Sequence, residues 1–240
     1  MTSALDGLTL PPEAAANGYK TLAERAFLTL RSAILAGRID PGARLMIEPI
    51  AARLEMSPMP VRDALQKLVE VGLVEQTPHR GARVTELTIA DLRDVYEVRI
   101  ALESLAIARA ATQFTEDDAE AARLRIERFA AACANGDDET AWAEHWGFHM
   151  ALYQSSRSQR ALRLIPPMWQ SSERYRMRWP PPLRSAADRR ADHERILAAC
   201  VAHDPHTAAG LMRAHLTRVA NRIAREMGAG DLFAQDSESA

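Results

Sequence analysis

Two prolines separated by a single residue, in Ser57-Pro58-Met59-Pro60-Val61-Arg62-Asp63-Ala64-Leu65, restrict this chain more than any other stretch. Proline disrupts a helix interior because it lacks an amide proton and crowds the preceding turn. Both defects are harmless in a first turn, where the amides have no helical partner. The segment therefore reads as a helix opening at Ser57, with Ser57 as its cap. Val61, Leu65, Leu68 and Val69 recur at i, i+4, i+7 and i+8 and make a buried face, which turns Met59, Arg62, Asp63 and Gln66 elsewhere. Residues 73–76 and 82–86 read as short strands around a turn at 77–81, and Pro78-His79-Arg80-Gly81 makes that turn basic. A short helix with an outward arginine, followed by a basic hairpin, is the outline of a winged helix-turn-helix that reads DNA.

The flanking sequence fits that outline. From Thr21 a helix carries Leu22, Ala26, Leu30 and Ile34 along one face and stops at Gly37. Asp40-Pro41-Gly42 turns the chain into an extended piece at Arg44-Leu45, and a brief second helix occupies 47–54. Residues 1–18 show no periodicity and read as a tail.

Beyond residue 87 no strand pattern recurs. Thr88-Ile89-Ala90-Asp91 is a capping box that opens a helix to about residue 111, and Thr115-Glu116-Asp117-Asp118 opens another that ends at Asn135-Gly136. A third spans 138–155. A fourth starts at Ser158, is expected to bend at Pro166-Pro167, and is stopped by Pro180-Pro181-Pro182. Asp204-Pro205 places a cap before a first-turn proline, and the last helix ends near Gly228. The fold expected is mainly α. A tail over 1–18 precedes a winged helix-turn-helix over 19–86, then an all-α bundle of about six helices over 87–228, then a disordered tail over 229–240.

Composition bounds the partners. The net charge is −2, so any attraction for nucleic acid must be local; residues 19–86 carry ten Lys/Arg against eight Asp/Glu. Arginine supplies nearly all of the positive charge, since Lys20 and Lys67 are the sole lysines. Cys133 and Cys200 suit neither a disulfide framework nor a cysteine metal site. No apolar run reaches membrane-spanning length and no secretory leader pattern opens the chain, so the expected location is the cytoplasm, away from membranes.

Four pieces carry a resemblance: Ile39-Asp40-Pro41-Gly42-Ala43-Arg44-Leu45, residues 57–65, Gly72-Leu73-Val74 and Arg80-Gly81-Ala82-Arg83-Val84. Residues 20–86 resemble the winged helix-turn-helix of the gluconate-repressor (GntR) family of bacterial transcription factors. The helical remainder resembles the FCD ligand-sensing domain of that family's FadR-like branch. The residues agree with it. Arg62, one turn into the third helix, can present its fork to guanine O6 and N7 or to a phosphate, with Gln66 one turn further. Arg44 and Ser57 suit backbone positioning, Met59 projects beside them, and His79, Arg80 and Gly81 form the wing tip. Where many members of the family carry an arginine after the capping serine, this chain has Pro58.

His145 and His149 are four residues apart, so both leave one helix face as a chelating pair requires. The FCD resemblance adds His193 and His215 from two later helices. It implies a divalent metal held with an aspartate whose place here is taken by His145. An all-nitrogen set favours zinc or nickel over manganese or magnesium. Arg99 occupies a position where FCD domains place an arginine facing the ligand. It reads either as a clamp for a carboxylate effector or as the ion-pair partner of Glu103.

The function expected is ligand-responsive, sequence-specific regulation of transcription. A homodimer, acting as a repressor, reads a palindromic operator on double-stranded DNA and senses a small organic or sugar acid. No catalytic residue is assigned. The competing readings are a metal-dependent enzyme built on the histidines and a nonspecific architectural DNA-binding protein.

Overall fold

The computed structural model describes residues 21–77, 81–180 and 185–234. The described residues form two compact units, one of residues 21–92 with 167–180 and the other of 93–166 with 185–234.

In the first unit, α1 (Leu22–Leu35) leads into β1 (Arg44–Leu45), α2 (Ile47–Arg53) and α3 (Pro58–Glu70), followed by β2 (Val74–Thr77) and β3 (Gly81–Val84). The strands form an antiparallel sheet in the order β1-β3-β2. Leu30, Ile50, Leu54, Val61, Leu68 and Leu73 are fully buried between the helices and the sheet. Truncating any one of them to alanine costs about 2–5 kcal/mol. The buried face of α3 is Val61, Ala64, Leu65 and Leu68, with Val69 at its margin. On α1, Ala26, Leu30, Ala33 and Ile34 turn inward, whereas Leu22 stays 52% exposed, because it opens the helix beyond the reach of the core.

Pro78, His79 and Arg80 of the wing turn lie outside the described residues, as do 1–20, which include the expected tail.

A further element completes this unit. Helix α7 (Gln159–Arg178) runs unbroken through Pro166-Pro167, yet its residues from 167 onward belong to the first unit. Glu173 pairs with Arg31 and Arg174 pairs with Asp91. The Ser171 hydroxyl donates to the Val71 carbonyl at 2.7 Å, beside Gly72. A Cβ at Gly72 would stand 2.7 Å from that hydroxyl, and the φ of +72° is itself left-handed, so only glycine fits. Unit one thus runs to Leu92 and regains residues 167–180 after a gap of more than seventy positions.

The capping box at the start of α4 (Ile89–Ala111) is half formed. The Asp91 amide donates to Thr88 Oγ1 at 3.1 Å, but the Asp91 carboxylate is taken by Tyr175 and Arg174. Tyr175 in turn accepts the Thr88 amide at 3.2 Å.

The second unit holds most of α4, α5 (Glu116–Asn135), α6 (Asp138–Gln154), the first turns of α7, α8 (Ser185–Val201) and α9 (Pro205–Glu226). The chain is mainly helical, as its periodicity implies. Thr115 and Asp118 cap each other reciprocally at the start of α5, and Gly136 ends it at φ 68°. Asp204 accepts the Thr207 amide at the start of α9.

The expected tail at 229–240 begins too early. Residues 229–234 fold back on α9: Asn221 Oδ1 accepts the amides of Leu232 and Phe233 at 2.9 and 3.1 Å, and its Nδ2 donates to the Phe233 carbonyl at 2.8 Å. One fully buried amide side chain thus satisfies three backbone groups that would otherwise need water. Residues 235–240 lie outside the described residues.

Candidate DNA interface and metal centre

Pro58 sits in the first turn of α3 and Ser57 precedes it with the extended backbone of a cap. The Ser57 side chain nevertheless makes no capping bond. A capping oxygen receives the amide two or three positions inside the helix; the third position here is Pro60, which has none, and the Met59 amide at the second is not taken up either. The expected cap is thus a cap by backbone alone, and the hydroxyl remains at the surface.

Arg44, Arg62, Gln66, Gln76 and Gly81 line one cleft of about 330 Å³ between β1, α3 and the hairpin. Arg44, Arg62 and Gln66 are exposed, and neither arginine forms an ion pair with a described residue. Of the residues singled out from sequence, four meet here. Ser57 and Met59, the latter 62% exposed, stand on the first turn of α3 and do not line the cleft. His79 and Arg80 are outside the described residues. Gln76 escaped the sequence reading. Its signal was its position two residues after Val74 on a strand, which places a polar side chain in a register that is otherwise apolar.

In the second unit, α6 presents His145 and His149 one turn apart, α8 presents His193 and α9 presents His215. One ring nitrogen from each lies within 4.8 Å of the other three. All four rings are buried, at 0–5% exposure. Ring centroids of His149 lie 4.8 Å from His145, 5.1 Å from His193 and 5.4 Å from His215. Phe148 closes on His193 at 4.6 Å, and Phe129 and Trp142 flank His145 at 5.8 and 5.9 Å. Four convergent imidazoles in an aromatic wall are a donor set suited to one divalent transition metal.

Two carboxylates support the ring from outside. Asp192 Oδ2 lies 3.6 Å from His215 Nδ1 and 2.6 Å from the Arg218 guanidinium. Burial alone would raise the Asp192 carboxyl, but His215 and Arg218 pull it down to about 2. On the other side, Glu103 Oε2 accepts the Tyr153 hydroxyl at 2.5 Å, and Tyr153 Oη lies 3.3 Å from His149 Nδ1. Burial, then the neighbouring Glu103 charge, push the Tyr153 phenol well above its ordinary value, so it remains protonated.

Arg99 forms the ion pair with Glu103 that its spacing allows. It is 1% exposed and clasps Glu103 through Nε at 2.6 Å and Nη2 at 3.3 Å. Burial opposes its charge, but Glu103 and the rings of Tyr96 and Tyr153 more than offset that. Trp169 and Tyr175 belong to the first unit, and Tyr153 touches the histidines. Glu103 and Asp192 were missed as supports, since spacing along the chain says nothing about which ring they meet.

Among the described residues no helix is long and apolar enough to cross a membrane.

Comparison with known proteins matches both parts of the chain to known domains. Residues 22–84 match the family of bacterial regulatory proteins called the gntR family, and residues 94–218 match the FCD domain. The chain is 29% identical over 206 residues to the uncharacterized HTH-type transcriptional regulator BphR of Paraburkholderia xenovorans, covering 82% of this chain and 83% of that one. It is 29% identical over 199 residues to the HTH-type transcriptional repressor GlaR of Escherichia coli, covering 78% and 89%. Among solved structures, E. coli McbR/YncC superposes with a TM-score of 0.72 at 24% identity over 87% of this chain and 100% of that one. A putative GntR regulator from Rhodococcus superposes with a TM-score of 0.68 at 25% identity, over 86% and 98%. These matches favour a regulator over the metal-dependent enzyme and the architectural protein. With a winged helix-turn-helix in its N-terminal part and a histidine-centred FCD domain following in sequence, the chain belongs to the GntR family and is a ligand-responsive, DNA-binding transcriptional regulator.

Proposed function

We propose that two copies of this chain bind a palindromic operator and repress transcription until a small carboxylate reaches a metal held by His145, His149, His193 and His215. The observation that carries this reading is the convergence of those four buried imidazoles within 4.8 Å. A metal bound there supplies a Lewis-acidic position for an anionic ligand. Its charge would stay uncompensated, because the nearest carboxylates are already neutralised: Glu103 by Arg99 and Asp192 by Arg218. An organic or sugar acid is the effector class that such a centre attracts, and zinc or nickel is the metal that an all-nitrogen set prefers. Arg99 serves the effector through Glu103 rather than by direct contact.

On the DNA side, Arg62 and Gln66 read base edges in the major groove while Arg44 and the Ser57 hydroxyl hold phosphates. Met59 borders the same face, and His79, Arg80 and Gly81 carry the wing to the flank. Support for a homodimer comes from α4, where Val98 and Leu105, seven residues apart, are 48% and 59% exposed among the described residues with the exposed Ala101 between them. Repression, rather than activation, agrees with the name of the E. coli relative GlaR.

The test is elemental analysis of the purified chain, followed by a thermal-shift screen of organic acids against the zinc and nickel forms. A protein with no bound metal and no response to either ion sinks the metal centre. A metal form whose operator affinity no acid changes sinks the effector class.

A further inference from the structure

Neutral histidine can serve as a ligand through only one nitrogen, and which one is decided by the proton on the other. At His149 the structure supplies the means of that decision. Tyr153 Oη has a single proton and two lone pairs. Glu103, ionised and gripped by Arg99 through two guanidinium nitrogens, can only accept, and it stands 2.5 Å from Tyr153 Oη. The phenol proton therefore goes to Glu103. The phenol oxygen, 3.3 Å from His149 Nδ1, is left to accept. His149 must then carry its proton on Nδ1, and Nε2 keeps a bare lone pair.

We propose that Tyr153, fixed by Glu103 and Arg99, is a positioning residue that locks His149 in the Nδ1–H tautomer and presents Nε2 to the metal. The inference rests on the metal reading given above for its consequence, though not for the tautomer itself. It assigns work to three buried polar residues, Arg99, Glu103 and Tyr153, which otherwise would be a costly desolvated cluster in an apolar bundle. His215 has a simpler version of the same support. Asp192 lies 3.6 Å from its Nδ1, too far for a formed hydrogen bond but near enough to favour a proton on that side. Outer partners of this kind typically govern metal affinity by 10–100-fold.

The experiment uses the full chain, with nitrogen-15-labelled histidine, in its metal-free form. Long-range proton–nitrogen correlation spectra report the tautomer of His149, and competition against a chelating indicator reports zinc affinity. The Nδ1–H form is expected in the unsubstituted protein. Tyr153→Phe keeps the ring and removes the hydroxyl; it should release His149 to the Nε2–H form and weaken zinc by about tenfold or more. Tyr96→Phe, which removes another buried hydroxyl with no histidine contact, should change neither. An Nε2–H tautomer in the unsubstituted chain overturns the proposal, whether or not the variant folds. So does a Tyr153→Phe protein that keeps the Nδ1–H form or binds zinc within twofold of the original. If the unsubstituted chain binds neither zinc nor nickel, the metal reading fails on its own, and the tautomer measurement still decides the role of Tyr153.

Discussion

Arg44 and Arg83 stand directly opposite each other across the β1–β3 ladder, with Glu75 on the far side of Arg83. Like charges so placed destabilise an isolated sheet by some tenths of a kcal/mol. A polyanion relieves that repulsion, which gives Arg44 a reason to contact phosphate rather than bases. Arg62 differs, since it lies on the α3 face of the same cleft with Gln66. Arg62→Ala should cost about 1–3 kcal/mol on the operator and flatten the preference over a scrambled duplex. Arg44→Ala should weaken both duplexes alike and reduce the salt slope by about one. Fluorescence anisotropy on both duplexes across a salt series separates the two outcomes. Equal loss of discrimination in both variants would overturn this division of roles.

His145 holds the place that the family resemblance gives to an aspartate, and its ring lies 4.8 Å from that of His149. Restoring oxygen there changes the hardness of the site without removing a ligand. His145→Asp should retain metal but move the preference toward manganese, by about tenfold or more in the ratio of manganese to nickel affinity. His149→Ala should abolish binding of both ions. Competition titration of the metal-free protein checks both. An unaltered ratio in His145→Asp would place that residue outside the first coordination sphere.

How far these sites could be read from sequence depended on the range of the interactions. The Pro58–Pro60 turn, the Thr115–Asp118 box and the i,i+4 histidines are local, and each follows from helical geometry alone. The return of residues 167–180 to the DNA-binding unit was hidden, because it depends on Arg31 meeting Glu173 and Asp91 meeting Arg174 from distant parts of the chain. The same holds for Asn221, a polar residue on a helix whose partners lie eleven and twelve positions ahead in a segment with no pattern. Ser57 makes no side-chain cap, and part of the reason was visible locally: of the two amides a cap can reach, the one at the third position is lost to Pro60.

Burial would raise the Asp118 carboxyl, but hydrogen bonds from the Thr115 amide and hydroxyl, with Ser155 and the Arg157 charge, hold it below the ordinary carboxylate value. A depressed folded value means stability that is present above the unfolded value, near 4, and is lost as pH falls through the lower folded one. Asp118→Asn should therefore cost about 1 kcal/mol at pH 7, and the deficit should shrink as acid protonates the original residue. Urea midpoints at pH 7 and pH 3 give the comparison. A deficit that is the same at both values would mean that charge plays no part in the cap.

Asn221 secures the last described turn of the chain, and that segment bears on the bundle through Arg93, whose guanidinium lies 6.0 Å from the Phe233 ring centroid. Asn221→Ala leaves three backbone groups near Leu232 and Phe233 to find water, at a cost of about 2–3 kcal/mol. Asn221→Asp keeps an acceptor for the two amides but removes the donor to the Phe233 carbonyl, and it buries a charge. It should be at least as damaging. In a unit of this size that loss lowers the melting midpoint by roughly 4–10 °C, and the amides of Leu232 and Phe233 should exchange with solvent at the rate of open chain. Protected amides at those two positions in Asn221→Ala would show that the Phe233 ring, and not the asparagine, holds the segment down.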